Sequence, residues 1–183
     1  MRRNFRLVKI HFQPAQPADA GAICRLVNGT YRGEASKQGW TTEADLLDGQ
    51  RTDEPAIAEI IADPAQRILT ARLGTAGADE IVGCVHLARR EGSGYLGMLA
   101  VHPARQARGL GKLLINEAEA WARRQGCPEL RMTVITLRPE LLAYYERRGF
   151  RRTGKTVPFP YGDPRFGLPR RPDLEMETLV KVL

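Results

Sequence analysis

The 183-residue sequence is poor in the residues that would support a disulfide framework or a metal site. It contains three cysteines and three histidines. Cys24, Cys84 and Cys127 are widely separated, and none belongs to a CxxC pair. An odd number of dispersed cysteines predicts free thiols that pack as small hydrophobic side chains. We therefore expect neither a disulfide nor a bound metal.

Long apolar runs and secretion signals are also missing. The apolar stretches are far shorter than the roughly 20 residues that a membrane-spanning helix needs. The basic N-terminus MRRNFRLVKIHF lacks the apolar block and cleavage site of a signal peptide. We expect a cytoplasmic protein with no membrane partner, and the length fits a single domain over residues 1–183.

The net charge of +7 favours anionic partners in general. The arginines are dispersed over the N-terminus, the segments ARRQG and ERRGFRR, and the tail LPRRPD. A basic stripe interleaved with stacking aromatic residues, which nucleic-acid binding would favour, does not occur. A phosphorylated cofactor or an acidic small molecule is the favoured partner class over nucleic acid.

The periodicity of apolar residues predicts an α+β fold with a mixed sheet. Short Gly-rich turns predict an antiparallel meander over residues 67–101, and a strand–helix–strand crossover over 95–136 makes its two strands parallel neighbours. The Pro- and Gly-rich segment 158–172 is interpreted as a functional flap. Strands are predicted over 5–12, 67–73, 81–90, 95–101, 129–136, 151–157 and 173–183, and helices over 17–31, 54–63, 110–126 and 139–149.

The stretch QARGLGK, residues 106–112, follows a strand and opens the strongest predicted helix. A helix N-terminus offers unpaired N–H groups and the positive end of the helix dipole, so it attracts anions. Gly109 and Gly111 remove side chains that would keep an anion from the backbone. Arg105, Arg108 and Lys112 add positive charge.

Three kinds of glycine loop can be compared with this stretch. A P-loop would need glycine at 106 and Ser or Thr at 113, where Gln106 and Leu113 stand. A dinucleotide fingerprint would need glycine in place of Leu114. The pattern of Gln106, Gly109 and Gly111, after Leu99–Val101 and before the YERRGF stretch, resembles the GNAT superfamily of N-acetyltransferases. The resemblance covers nearly the whole chain.

This resemblance implies a GNAT fold, with about seven strands flanked by about four helices. It also implies that acetyl-CoA lies in a V-shaped gap between the two central parallel strands. The residues that the resemblance assigns to the cofactor are Leu99, Ala100, Val101, Gln106, Ala107, Arg108, Gly109, Leu110, Gly111 and Lys112.

The implied reaction is direct attack of a neutral amine on the thioester, in a ternary complex and without a metal. The backbone N–H of Val101 is the candidate oxyanion donor. Tyr145, four residues before Gly149, matches the family's proton-donating tyrosine. Tyr144 competes by periodicity, and we expect it to be a core residue.

The general base and the acceptor site are less defined by the sequence. Glu34, Glu43, Glu91 and His86 are candidate bases by residue type, and Glu34 is selected because it lies in a region that often walls the acceptor site in this superfamily. We expect Tyr31 and Trp40 to bind the acceptor, with flap aromatics either lining the pocket or plugging the core: Phe159, Tyr161 and Phe166.

Arg138 stands where many family members carry a cofactor-binding Asn, and it either bonds the cofactor or recognises an acidic substrate. We expect the acceptor to be a small-molecule amine, and a homodimer is possible in this superfamily. A protein N-terminal or lysine acetyltransferase, and a non-catalytic acyl-CoA sensor, are the alternatives.

Overall fold

A seven-stranded mixed sheet forms the centre of the structure. The computed structural model describes residues 10–75 and 78–183. The strands run in the order β1-β3-β4-β5-β6-β9-β7, and β2 pairs with β8 in a separate two-stranded sheet. Their bounds are β1 Ile10–Pro14, β2 Leu47–Asp48, β3 Gln66–Thr75, β4 Ala78–Arg90, β5 Ser93–Val101, β6 Glu129–Ile135, β7 Arg151–Pro158, β8 Leu168–Pro169 and β9 Glu175–Val182.

Four long helices and one short helix flank the sheet. They are α1 Ala20–Tyr31, α2 Gly33–Ser36, α3 Glu54–Ala62, α4 Leu110–Arg124 and α5 Pro139–Glu146. The seven strands and four long helices confirm the predicted fold class. Of the predicted strand over 5–12, residues 5–9 lie outside the described residues. The short elements α2, β2 and β8 were not predicted.

The helices form two layers because successive strand residues point to opposite faces of a sheet. Ala100 packs with Ile23 and Ile57 of α1 and α3. Its neighbour Val101 packs with Leu114 of α4 in the larger core. The three cysteines are free, with Cys84 and Cys127 buried and Cys24 half-buried, as predicted. Within the described ranges, no helix is long and apolar enough to cross a membrane.

The parallel strands β5 and β6 separate soon after they begin. They pair at Gly94 with Leu130 and at Tyr95 with Arg131, and at no later residue. A Cβ on Gly94 would lie 3.0 Å from Leu130 Cδ1, so glycine permits the close approach at this end. A wedge-shaped gap therefore opens toward the carboxyl ends of the two strands.

An irregularity in β5 accompanies the separation. The register between β4 and β5 shifts between Cys84 and His86, where β5 holds one extra residue. Met98 lies at this point with φ of 48°, in the left-handed region that non-glycine residues rarely adopt. A bulge bends the strand that carries it, whereas β6 stays paired with β9 along its length.

The predicted flap is attached to the rest of the molecule. Its strand β8 pairs with β2, and Arg170 donates to the Asp48 carboxylate at 2.5 and 2.8 Å. Phe159 is buried with Leu47 and Leu174. Phe159 therefore plugs a small core, and because it also lines the second cleft described below, it combines the two roles predicted for it.

Candidate active site

The gap beside β5 leads into a cleft of about 170 Å³, which we call the first cleft. All the residues predicted to bind the cofactor line it, except Ala100 and Arg108. Ala100 is fully buried among residues of α1 and α3, and the Arg108 side chain is exposed. The lining residues are Tyr31, Trp40, Thr41, Leu99, Val101, Gln106, Ala107, Gly109, Leu110, Gly111, Lys112, Leu141, Tyr144, Tyr145 and Arg148.

The turn before α4 exposes a run of backbone N–H groups. Ala107 and Gly109 have left-handed φ angles of 60° and 82°, and successive residues that alternate in this way form anion-binding concavities. The first helical bond runs from the N–H of Leu113 to the carbonyl of Gly109, at 3.1 Å. Within the described ranges, the N–H groups of residues 107–112 have no acceptor.

Positive charge surrounds these N–H groups. Lys112 is exposed at the cleft, and neither it nor Arg105 or Arg108 forms an ion pair with any residue that the structure describes. The positive end of the α4 dipole adds to this field. This part of the cleft can hold an anion such as a diphosphate.

The Gln106 side chain bonds to protein groups on two sides. Its Nε2 donates to Thr41 Oγ1 at 2.9 Å and to the Val101 carbonyl at 3.0 Å. Its Oε1 accepts from the Trp40 N–H at 3.0 Å, and its own N–H donates to the Pro103 carbonyl. Every donor of Gln106 is therefore engaged within the protein, so the residue fastens the Trp40–Thr41 loop to β5 instead of offering a hydrogen bond to a ligand.

Arg138 fastens the same loop from the other side. It is 6% exposed, donates to the Trp40 carbonyl at 3.1 Å and to the Thr41 carbonyl at 3.3 Å, and pairs with Glu140 at 2.5 Å. Of the two roles left open for it, contact with the cofactor or with an acidic substrate, the geometry supports neither. The guanidinium is committed to the loop.

These bonds place Trp40 at the first cleft and not at the second. Its ring packs on Tyr144, with centroids 5.1 Å apart, and it lines the first cleft beside the glycine turn. The predicted contact of Trp40 with the acceptor stays a prediction, and the bonds to Gln106 and Arg138 hold its loop at the first cleft. Tyr144 packs against the main core, as predicted, and its half-buried ring also lines this cleft.

A second cleft, of about 340 Å³, meets the first at Tyr31, Leu99, Leu141 and Tyr145. These four residues define what we call the junction. The second cleft is lined by the junction residues together with Arg32, Glu43, Leu47, Arg51, Arg90, Tyr95, Leu96, Gly97, Met98, Met132, Thr133, Val134, Ile135, Phe159, Phe166 and Met176.

The two junction tyrosines are buried and differently bonded. The Tyr31 hydroxyl donates to the Leu99 carbonyl at 2.5 Å, whereas the Tyr145 hydroxyl has no hydrogen-bond partner within the described part of the chain. Burial raises the pKa of both phenols well above the usual value, and neighbouring tyrosines raise the pKa of Tyr145 further. Both hydroxyls therefore stay protonated at neutral pH, and that of Tyr145 is free to donate.

The end of β5 directs one backbone donor into the gap. The His102 N–H bonds to the Val82 carbonyl on β4 at 2.9 Å. Neighbouring residues of an antiparallel strand alternate in direction, so the N–H of Val101 points away from β4. The Val101 carbonyl points the same way, and it accepts from Gln106 and from Thr30 Oγ1.

The four candidate bases lie in very different surroundings. The Glu34 side chain is 87% exposed and pairs with Lys37 at 2.7 Å; it lines neither cleft, so its selection as the base is corrected. Glu43 lines the second cleft, and its Oε2 accepts from Arg32. Glu91 is exposed in the β4–β5 turn.

His86 is excluded as a base by its burial. Its Nε2 lies 2.7 Å from Gln66 Oε1, and it lines neither cleft. Burial, followed by the charges of Arg90 and Arg51, lowers its pKa to about 4. The expected role, a partly buried strand histidine, is the one that the structure supports.

Comparison with known proteins decides the family. The model of the Acetyltransferase (GNAT) family matches residues 32–150. The chain belongs to the GNAT family of acetyltransferases. This match confirms the family and the acyltransferase class that were predicted from Gln106, Gly109, Gly111 and the YERRGF stretch. A search of curated proteins finds no match.

Solved GNAT structures share the fold at low identity. A Bacillus anthracis protein assigned as a streptothricin acetyltransferase, solved with acetyl coenzyme A, is 21% identical, with a TM-score of 0.56 over 68% of this chain and 67% of that chain. A nourseothricin acetyltransferase is 18% identical, with a TM-score of 0.64 over 94% and 98%. The ribosomal-protein-S18-alanine N-acetyltransferase of Escherichia coli is 14% identical, with a TM-score of 0.66 over 95% and 94%.

The first-cleft residues of this GNAT protein that the sequence did not indicate are Thr41, Leu141 and Arg148. Arg148 lines the first cleft with its guanidinium 4.9 Å from the Tyr144 ring centroid, and its buried Nε has no partner among the described residues. Its place in the YERRGF stretch could have marked it. Within the same part of the chain, no group of three or more His, Cys, Asp or Glu could hold a metal.

The pKa of His86 predicts a loss of stability in mild acid. The unfolded chain binds a proton below about pH 6.5, whereas the folded protein does so only below about pH 4. Since the unfolded state binds more protons in this window, the free energy of unfolding falls as pH drops through it, by roughly 3 kcal/mol. Urea denaturation between pH 7 and 4 measures this loss. His86→Gln should remove the contribution of His86 to the slope of the free energy of unfolding against pH. An unchanged slope would contradict the low pKa of His86 in the folded protein.

Proposed function

We propose that this GNAT protein transfers the acetyl group of acetyl-CoA to the primary amine of a small molecule. The observation that carries the proposal is the run of free N–H groups at residues 107–112, which faces a cleft that opens where β5 and β6 separate. Unpaired backbone donors at a helix N-terminus form a site that favours an anion. A diphosphate followed by an extended arm that carries amide groups fits this site.

The residues of the first cleft fit this ligand. The N–H groups of 107–112 would hold the diphosphate, and Lys112 would add a mobile charge. The Trp40–Tyr144 pair and Arg148 would cover the ligand from the α5 side. Gln106, by contrast, would act by positioning the Trp40 loop, because its donors are already used.

Acetyl-CoA supplies a thioester whose carbonyl carbon is open to attack by an amine. The N–H of Val101 points into the gap and would stabilise negative charge on the carbonyl oxygen. The Tyr145 hydroxyl would donate to the leaving sulfur. Its raised pKa keeps the proton in place until a strong acceptor such as a thiolate forms.

Glu43 replaces Glu34 as the proposed base. Its Oε2 accepts from Arg32, and Oε1 accepts no hydrogen bond from the described residues. The carboxylate lines the second cleft and lies near enough to Tyr31 and Tyr145 to raise the pKa of each. It would accept the proton of the amine directly or through water.

The flap favours a small acceptor over a protein segment. Phe159 and Phe166 bring the flap to the second cleft, and the pairing of β8 with β2 holds it there. Tyr31 remains a proposed acceptor contact because it lies at the junction. The single domain over residues 1–183 and the possible homodimer stay predictions.

Acetyl-CoA should raise the melting temperature of the protein, because a ligand that binds the folded state stabilises it. Gly109→Asp should weaken acetyl-CoA binding by roughly 10- to 100-fold relative to Gly109→Asn, since the added charge would face the diphosphate. Asn has the same shape and tolerates left-handed φ, so the pair isolates the charge. Titration calorimetry measures both affinities.

The control for this pair is Gly126→Asp against Gly126→Asn. Gly126 has a φ of 67° and open space around it at the other end of α4. Equal affinities are expected there. Absence of a thermal shift in the wild-type protein at millimolar acetyl-CoA would contradict the proposed function.

Tyr145→Phe should lower kcat by about 100-fold, because it removes the proton donor and keeps the ring. The affinity for acetyl-CoA should remain near that of the wild type. Tyr144→Phe is the matched comparison, and its kcat should change much less. Thiol release measured from pH 6 to 9 gives kcat and the KM for acetyl-CoA of both variants. Equal kcat values for the two variants would remove Tyr145 from the mechanism.

Glu43→Gln should lower kcat/KM for the acceptor by about 100-fold, with the deficit shrinking as pH rises and more amine is already neutral. The control is Glu34→Gln, which changes an exposed residue paired with Lys37 and should behave as the wild type. A flat deficit across pH would indicate a role for Glu43 in binding instead of proton transfer.

A further inference from the structure

The second cleft carries an excess of positive charge. Arg32, Arg51 and Arg90 line it, and Glu43 is the one acidic residue among its described lining residues. Arg32 is 6% exposed, pairs with Glu43 and donates to the Phe166 carbonyl at 3.1 Å. The charge of Glu43 is therefore already balanced, and the charges of Arg51 and Arg90 remain.

Arg51 and Arg90 are held in place without an anionic partner. Neither guanidinium forms an ion pair or a hydrogen bond with any residue in the described ranges, although the backbone N–H of Arg51 donates to Asn28 Oδ1 at 2.7 Å. Arg90 packs on the Tyr95 ring, 3.8 Å from its centroid, and Arg51 lies 5.9 Å from the centroid of Tyr31. Stacking on an aromatic ring orients a guanidinium and leaves its N–H groups free at the edge.

Arg90 and Arg51 each lie over an aromatic residue that lines the second cleft, Tyr95 and Tyr31 respectively. The Tyr95 hydroxyl lies 2.9 Å from the place of a Cβ on Gly97, so the ring leans along β5 in the direction of Leu99. Tyr31, beside Arg51, is itself a junction residue. The lowered pKa of buried His86 is consistent with this arrangement, because the charges of Arg90 and Arg51 contribute to it after burial.

We propose that the acceptor is a small amine that carries a carboxylate a few bonds away, as an amino acid does, and that Arg51 and Arg90 bind that carboxylate. This proposal rests on the proposed function of the site. Guanidinium groups bind carboxylates through paired N–H donors. The apolar side chains of Met98, Met132 and Phe159 would contact the body of the molecule, and the volume of about 340 Å³ suits an acceptor of this size.

The same two charges would assist the reaction. A positive field disfavours an ammonium ion, so it lowers the pKa of the bound amine and raises the fraction that can attack. The amine nitrogen would bond to the thioester carbonyl carbon, the carbon–sulfur bond would break, and the amine would lose one proton as the sulfur gains one. Polyamines and other cationic acceptors would be repelled from this cleft.

The experiment compares acids with their amides as acceptors. L-phenylalanine, L-leucine and 4-aminobutyrate are each assayed against the corresponding amide by thiol release from acetyl-CoA, with spermidine as a cationic acceptor. An α-amino amide is the more reactive amine at neutral pH, so a preference for the acid has to come from the protein. We expect kcat/KM to be about tenfold or more higher for at least one acid than for its amide.

The double variant Arg51→Gln/Arg90→Gln should bring this ratio close to one and should leave the affinity for acetyl-CoA unchanged. Arg124→Gln removes an exposed charge from the end of α4, outside both clefts, and should keep the wild-type ratio. The charge reversal Arg90→Glu should raise the relative rate for spermidine. Both Arg51 and Arg90 lack ion pairs to described residues, so folding should tolerate these changes, and melting temperatures check that.

The outcomes separate the two proposals. If acetyl-CoA binds and the amides or spermidine are acetylated with a kcat/KM equal to that of the acids, the carboxylate proposal is overturned. The acetyltransferase function then stands. A protein that binds acetyl-CoA but acetylates none of the acids also overturns it. If the double variant keeps the wild-type ratio of kcat/KM for acid over amide, residues other than Arg51 and Arg90 bind the carboxylate and the assignment of these two residues is wrong. If acetyl-CoA does not bind, the proposed function itself fails.

Discussion

The separation of β5 from β6 after two paired residues is the constraint on which the site depends. Strand backbones need hydrogen-bond partners, and here one side of β5 has none on β6 beyond Tyr95. The Met98 bulge lies in the part of β5 that has separated from β6. Both clefts open from this gap, and they meet at residues that the gap leaves accessible, Leu99 and Tyr145 among them.

Side chains form hydrogen bonds with several of the backbone carbonyl groups that the separation of β5 from β6 leaves unpaired. The Leu99 carbonyl accepts from Tyr31, and the Val101 carbonyl accepts from Gln106 and Thr30. Because these acceptors are filled, the groups left for a ligand along this edge are N–H donors, as they are at residues 107–112. The free hydrogen-bonding groups of the first cleft are thus mainly donors, which suits an anionic, carbonyl-rich ligand.

The second cleft differs in the source of its positive potential. In the first cleft, backbone N–H groups and one helix dipole add to the charges of Lys112 and Arg148, whereas guanidinium side chains supply it in the second. Tyr31 and Tyr145 stand between the two as neutral phenols, since burial raises the pKa of each. An uncharged junction between two positive regions favours a neutral nucleophile over an ammonium ion.

Local patterns in the sequence determined the seven strands, the four long helices and the glycine turn. The spacing of apolar residues and the positions of Gly and Pro set the backbone conformation over only a few neighbouring residues, so they can be read without the tertiary structure. They could not assign Trp40, Arg138 or the general base. Arg138 is 98 residues from Trp40 and Gln106 is 66, and these contacts alone decide which cleft the loop covers. Whether Glu34 or Glu43 faces the acceptor likewise depends on how the chain turns after α1, which only tertiary packing fixes.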